Sequence, residues 1–172
     1  MNARPLPASP RLRPMQATDL DAVLAIEARA YSWPWTRGNF ADSLAAGYLM
    51  ELLLDQRGEL LGYHVAMAGV GELHLLNLPV APEHQRQGHA RVLLDVLEQR
   101  CRERSLAMLW LEVRAGNARA RHVYRQRGFV EVGLRRRYYP AVQGQREDAV
   151  VMKLQLPGLG TAADAGSGGT PA

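Results

Sequence analysis

Two rhythms of apolar residues alternate along this chain, one with a period near the helical repeat and one made of short unbroken runs. Leu20, Val23, Leu24 and Tyr31 recur on one side of a helix, and Glu27 falls in the middle of that side. Thr18-x-x-Asp21 predicts where it starts, with a side-chain acceptor at the cap and acid in the first turn. Ser32-Trp33-Pro34-Trp35 breaks this helix, and Thr36 caps a second one through about Ala46. From Gly88 to Arg104 a third helix puts Ala90, Leu93, Leu94, Leu97 and Cys101 on one face. Its exterior carries Arg91/Asp95 and Glu98/Arg102 as i,i+4 pairs. Gly116-Asn117 opens a fourth helix, which ends near Gly128.

The apolar runs predict strands at Arg11–Met15, Tyr48–Asp55, Leu60–Gly69, Glu72–Val80, Ala107–Val113, Phe129–Arg137 and Asp148–Leu156. Ala107–Val113 is almost wholly apolar, as expected of a strand buried in a parallel pair. With the third helix and the Glu72–Val80 strand it makes a right-handed βαβ unit. The fold class is therefore α/β, a mixed twisted sheet flanked by about four helices. Residues 11–156 form the folded domain. Met1–Pro10 holds three prolines and is expected to be flexible, and 157–172 has almost nothing to bury and is expected to be disordered.

Composition narrows the class. With 47% apolar and 22% charged residues in 172, the chain is globular and large enough for one core. It has no apolar run near the ~18 residues that span a bilayer, and no secretory signal pattern, so no membrane association is expected. Cys101 is the single cysteine, which excludes an internal disulfide and makes a reducing cytoplasm the expected location. His64, His74, His84, His89 and His122 lack metal-ligand spacing, so no metal is expected. The net charge is +4, and basic residues crowd Arg86–Arg137, either as a solvated face or as a surface for something acidic. No zinc-finger spacing or RNA-binding aromatic motif occurs, so direct nucleic-acid binding is not expected, and the chain is expected to be a monomer.

The richest stretch is Val80-Ala81-Pro82-Glu83-His84-Gln85-Arg86-Gln87-Gly88-His89-Ala90. It closes a strand, turns, and opens the third helix. A glycine turn at a helix N-terminus leaves backbone N–H groups unpaired at the positive end of the dipole, which makes an anion site. Gly88 permits close approach, Ala90 does not obstruct it, and Arg86 and Arg91 add charge. No Gly-Lys-Ser/Thr ending and no GxGxxG is present, so neither a Walker loop nor a dinucleotide fold is indicated. A plain solvated turn is the alternative.

In open α/β sheets, ligands bind beyond the carboxyl ends of the strands, here Leu78–Val80 and Glu112–Arg114. Glu112 is the only ionisable position in Leu109-Trp110-Leu111-Glu112-Val113. A solitary carboxylate there is expected to hold its proton more tightly than usual, which suits a general base; a structural acid paired with an arginine is the alternative. Tyr124, one helix further on, can return to the same mouth as a proton donor to a departing thiolate, or it can be core packing. Asn117 is a helix N-cap facing the same side. Glu27, on an apolar stripe, must reach a rim, pair with an arginine or meet a ligand.

Taken together these residues resemble the GNAT N-acetyltransferases, and within them the bacterial ribosomal-protein-alanine N-acetyltransferases. The similarity covers roughly Leu12–Leu156: Ile26-Glu27 with Trp33-Pro34-Trp35, Asn77-Leu78-Pro79-Val80, Gln85-Arg86-Gln87-Gly88 and Leu109–Arg114. Asn117, Tyr124, Gly128-Phe129, Arg136-Arg137-Tyr138-Tyr139-Pro140 and Arg146-Glu147-Asp148-Ala149 continue it. The resemblance implies the GNAT fold and acetyl-coenzyme A as co-substrate. It implies that Leu78, Pro79 and Val80 with Arg86, Gln87, Gly88, His89, Ala90 and Arg91 hold the co-substrate, and that Asn117 contacts it. Glu112 is implied as proton acceptor and Tyr124 as proton donor, with backbone N–H groups near Leu78–Val80 around the developing oxyanion. The implied partner is the N-terminal peptide of small-subunit ribosomal protein eighteen, gripped by Trp33, Trp35, Tyr138 and Tyr139, with Glu27 meeting its positive charge; the alternatives are an acetyltransferase of another acceptor (another protein N-terminus, a lysine or a small amine) and a non-catalytic acyl-coenzyme A-binding module. Three positions depart from the family pattern: Ala90 for a glycine, Arg137 for a polar uncharged residue, and Pro79 within the co-substrate strand, where a bulge would accommodate it.

Overall fold

The structure, a computed structural model, describes residues 9–159; most of both predicted flexible ends lies outside the described residues. The elements are β1 (Arg11–Pro14), α1 (Leu20–Ala30), α2 (Arg37–Ala45), β2 (Leu49–Leu54), β3 (Leu60–Ala68) and β4 (Glu72–Asn77). They continue with α3 (His89–Glu103), β5 (Met108–Arg114), α4 (Ala118–Arg127), β6 (Val130–Pro140) and β7 (Arg146–Gln155). One sheet runs in the order β1-β2-β3-β4-β5-β7-β6, antiparallel except between β4 and β5.

Strand alternation sends side chains to two separate cores. On one face Leu20, Val23 and Ile26 of α1 and Phe40 of α2 pack on Met50, Leu52, Leu54, Tyr63 and Val65. On the other, Leu94, Leu97 and Cys101 of α3 pack on Leu73, Leu75, Leu109, Leu111 and Met152. Each fully buried leucine contributes on the order of 1.5–3 kcal/mol. Leu109, Leu111 and Val113 take the α3 side of β5, so Trp110, Glu112 and Arg114 emerge on the opposite face.

Two local expectations are corrected. Thr18 is not the first cap: a short 3-10 turn at Ala17–Asp19 precedes α1, and Asp19 accepts from the Gln16 N–H at 2.8 Å while pairing with Arg13. Arg91 and Asp95 do not pair, because Asp95 is taken by Arg127 of α4; Glu98 and Arg102 do pair, at 3.2 Å.

The feature that positions the site is where β4 and β5 part. Their parallel register runs from Glu72↔Met108 to Leu75↔Leu111 and stops, while the β3–β4 register shifts between Val65 and Ala66. The strand ends at Asn77, three residues before the expected Val80. Beyond it the chain leans towards β3: the Tyr63 N–H donates to Pro79 O at 3.2 Å and the Ala81 N–H to Leu61 O at 2.8 Å. These bonds bracket the Gly62↔Val80 bridge, so Val80 is a non-hydrogen-bonded pair member whose own N–H turns away from β3. Pro79 faces Tyr63 and accepts its N–H, but having no N–H of its own it cannot return the second ladder bond, so the pairing is weak here. Gly62 is required by space, since a Cβ would lie 2.7 Å from Pro79 O and 3.2 Å from Val80 Cα.

Candidate active site

The turn after Val80 has the form of an anion cradle. A 3-10 turn at Pro82–His84 leads to Gln85, whose side-chain amide donates to Val80 O at 3.2 Å. Arg86 and Gly88 are both left-handed, at φ 61° and 87°, and Gly88 starts α3 without a side-chain cap. The N–H groups of His89, Ala90 and Arg91 therefore have no side-chain or backbone acceptor among the described residues, at the positive end of a fifteen-residue helix. Arg86, Gln87 and Gly88 are exposed beside them. Burial, then the nearby His84, lowers the pKa of His89, so its ring is neutral near pH 7. Ala90 packs inward with Leu53, Leu61, Val80 and Leu93, which accounts for an alanine in place of a second glycine. These residues suit a phosphorylated ligand.

Glu112 is not solitary. Its side chain is 6% exposed, and Oε2 lies 2.5 Å from His74 Nε2 on β4. The His74 ring stacks on Trp110 at 3.7 Å between centroids and 9° between planes. Arg135 of β6 approaches Oε1 at 3.4 Å, yet Oε1 is buried and has no hydrogen bond. The premise of an isolated carboxylate thus fails, because parallel pairing sets His74 opposite Trp110 and within diagonal reach of Glu112.

Three phenols converge near this point. Burial pushes the Tyr124 hydroxyl up to about 12, so it keeps its proton near neutrality. Tyr139 is also raised, first by burial and then by Glu112 and Tyr138, with Tyr124 among its neighbours. Tyr31, after α1, keeps 37% of its surface open but stands in the same mouth; burial raises it first, then Tyr124, Glu27 and Tyr139, against the Leu78 backbone. Asn117 caps α4, its Oδ1 accepting from the Ala120 N–H at 3.1 Å. Cys101 is buried, and burial lifts its thiol to about 11.

The expected acceptor walls divide. Trp33, 40% exposed, and Tyr139 sandwich the Arg114 guanidinium at 4.9 and 4.5 Å, and Tyr138 stacks on Arg135 at 5.2 Å. Arg114 also donates to Pro140 O at 2.8 Å and pairs with Glu147 at 3.1 Å, tying the loop after α1 to β6 and β7. Trp35 does not join them: its ring packs on Phe40 at 5.3 Å in the core under α1 and α2. Glu27 is corrected in the same way. It is 1% exposed, and its carboxylate accepts from the Trp35 N–H at 2.9 Å, Asn77 Nδ2 at 3.0 Å and the Tyr63 hydroxyl. Those three donors hold it inside the fold, so it joins the wall to β3 and β4 and does not itself reach the groove. Arg137 sits in a β6 bulge at φ 53°, its N–H donating to Asp148 at 2.7 Å, while Arg146 donates to the carbonyls of Arg137 and Tyr138.

Residues 20–129 match the acetyltransferase (GNAT) family. The chain belongs to the GNAT acetyltransferases. It is 41% identical to the [ribosomal protein bS18]-alanine N-acetyltransferase of Escherichia coli K12 over 83% of this chain and 95% of that protein. The crystal structure of the E. coli ribosomal-protein-S18-alanine N-acetyltransferase superposes with a TM-score of 0.81 at 37% identity, over 92% of this chain and 99% of that one. This places the chain in the ribosomal-protein-alanine N-acetyltransferase family. A Sinorhizobium meliloti phosphinothricin acetyltransferase solved with acetyl-coenzyme A shares the fold, at TM-score 0.73 and 21% identity over 87% of this chain and 89% of that one. Among the described residues no helix is long and apolar enough to cross a membrane.

Proposed function

We propose that this enzyme moves the acetyl group of acetyl-coenzyme A onto the α-amine of the N-terminal alanine of ribosomal protein bS18, in one ternary complex. The observation that carries this reading is the similarity to bS18-alanine N-acetyltransferases along nearly the whole fold; the buried Glu112 carboxylate and the Tyr124 phenol, which keeps its proton, support it. The co-substrate's phosphates lie at the free N–H groups of His89, Ala90 and Arg91, with Arg86 beside them. Glu112 takes a proton from the acceptor ammonium, directly or through water, and the neutral nitrogen attacks the thioester carbonyl. The Val80 N–H, turned into the gap, stabilises the negative oxygen. The carbon–sulfur bond breaks, Tyr124 protonates the sulfur, and the second nitrogen proton returns through solvent to the phenol. Cys101 takes no part, being buried and held as a thiol.

Amine chemistry favours an α-amine. Its reference pKa of about 7.7–8.0 against about 10.4 for lysine makes its neutral form a few hundred times more abundant near neutrality, roughly 3.5 kcal/mol of deprotonation. Two variants test the proton-transfer roles. Glu112→Gln is expected to keep acetyl-coenzyme A affinity while turnover falls ~10²-fold or more, and Tyr124→Phe also lowers turnover. Turnover near wild type in both would mean that other groups or solvent move the protons.

A further inference from the structure

We propose that His74 is a positioning residue for Glu112: it holds one carboxylate oxygen by a hydrogen bond and leaves the other, which has none, to accept the amine proton. The inference rests on Glu112 being the base.

The geometry holds this carboxylate tightly on an interior strand. His74 Nε2 and Glu112 Oε2 are 2.5 Å apart, with 11% and 6% of their side chains exposed. Stacking on Trp110 at 3.7 Å fixes the plane of the imidazole, so the ring cannot turn aside without losing that contact. With Glu112 ionised, the resting tautomer carries a proton on Nε2 and donates it to Oε2. Oε1 then remains the buried acceptor with no hydrogen bond, the oxygen left to take the proton. A carboxylate on a free torsion could present either oxygen, whereas one clamped by a stacked ring presents only one.

The other groups facing the pair do not replace this contact. Arg135 and Tyr139 approach from β6, and Arg135 is 3.4 Å from Oε1 while stacked on Tyr138. Lys153 of β7 pairs with Trp110, and Glu72 and Arg114 lie two residues along β4 and β5. Tyr31 borders the mouth from the end of α1. Among the described residues, the contact of His74 with Oε2 is therefore the one hydrogen bond on the Glu112 carboxylate.

The test compares wild type, His74→Gln, His74→Leu and Glu112→Gln with acetyl-coenzyme A and an alanine-starting peptide. His74→Leu is expected to lower kcat by roughly 10–100-fold, the scale for losing an orienting partner, with KM for acetyl-coenzyme A within ~3-fold. His74→Gln, whose amide can still donate to Oε2, recovers most of kcat. Wild-type kcat in His74→Leu, or a glutamine variant no better than leucine, overturns the proposal. If His74→Leu does not fold, His74→Gln decides alone, and a kcat more than roughly 10-fold below wild type overturns the proposal. Wild-type turnover in Glu112→Gln instead sinks the reading of the base itself; a dead Glu112→Gln beside an unaffected His74→Leu removes only the role of His74.

Discussion

Gly62→Ala is the sharpest probe of how the β4–β5 gap is built. The new methyl would meet Pro79 O at 2.7 Å, Val80 Cα at 3.2 Å and Leu93 Cδ1 at 3.4 Å. Two of these neighbours are backbone, so relief requires the Pro79–Val80 segment to move off β3. Overpacking of this kind costs about 1–3 kcal/mol. Weakening the flanking Tyr63–Pro79 and Ala81–Leu61 bonds adds about 0.5–1.5 kcal/mol each. A loss of about 2–6 kcal/mol corresponds to a fall in Tm of about 4–24 °C in a domain of this size. The same shift displaces the Val80 N–H, and loss of about one ligand hydrogen bond weakens acetyl-coenzyme A binding by roughly 5–10-fold. Thermal melts and calorimetric titration with acetyl-coenzyme A read both effects. A Tm within ~2 °C of wild type would refute the steric argument, and a large fall in Tm with unchanged affinity would remove this segment from the co-substrate site.

Three further outcomes follow from particular residues. Gly88→Pro should abolish acetyl-coenzyme A binding, because it removes a donor and cannot reach φ 87°; equal titration curves would displace the phosphates from this loop. Arg137→Asn should raise stability by about 0.5 kcal/mol, since asparagine tolerates the left-handed backbone better, and a lower Tm would contradict this. Burial raises the Glu51 pKa, but hydrogen bonds from His64 and Arg100 overcome it and hold the group at about 2 against an ordinary 4.5. That difference is worth about 3 kcal/mol, present above about pH 4.5 and lost as pH falls towards 2, so acid should destabilise wild type more steeply than Glu51→Gln. Parallel pH–stability curves for the two would refute it.

Much of the frame was legible because it depends on local pattern. The α3 stripe of Leu93, Leu94, Leu97 and Cys101, the Thr36 cap and the Gly88 turn all follow from spacings of a few residues. What pairs across the sheet was not. His74 is 38 residues from Glu112 and meets it only through the parallel register. Glu27 reads as a groove residue because its three donors, from Trp35, Tyr63 and Asn77, come from three other segments. Trp33 and Trp35 look equivalent in Trp-Pro-Trp, yet one ring meets Arg114 and the other Phe40. Gly62 lacked any motif; only the close crossing of Pro79 explains it. The early end of β4 follows from the register shift beside Asn77; Pro79 signals a bulge in this strand but not where the strand stops.

The central claim, acetylation of an N-terminal alanine α-amine, meets its most direct test in one mass-spectrometric measurement. The protein is incubated with acetyl-coenzyme A and the N-terminal peptide of ribosomal protein bS18, free or formyl-blocked, and the site of any acetyl group is located after digestion. A single acetyl group is expected on the α-nitrogen of the alanine in the free peptide and none in the blocked one. Acetylation of internal lysines, or equal reaction of the two peptides, would contradict it.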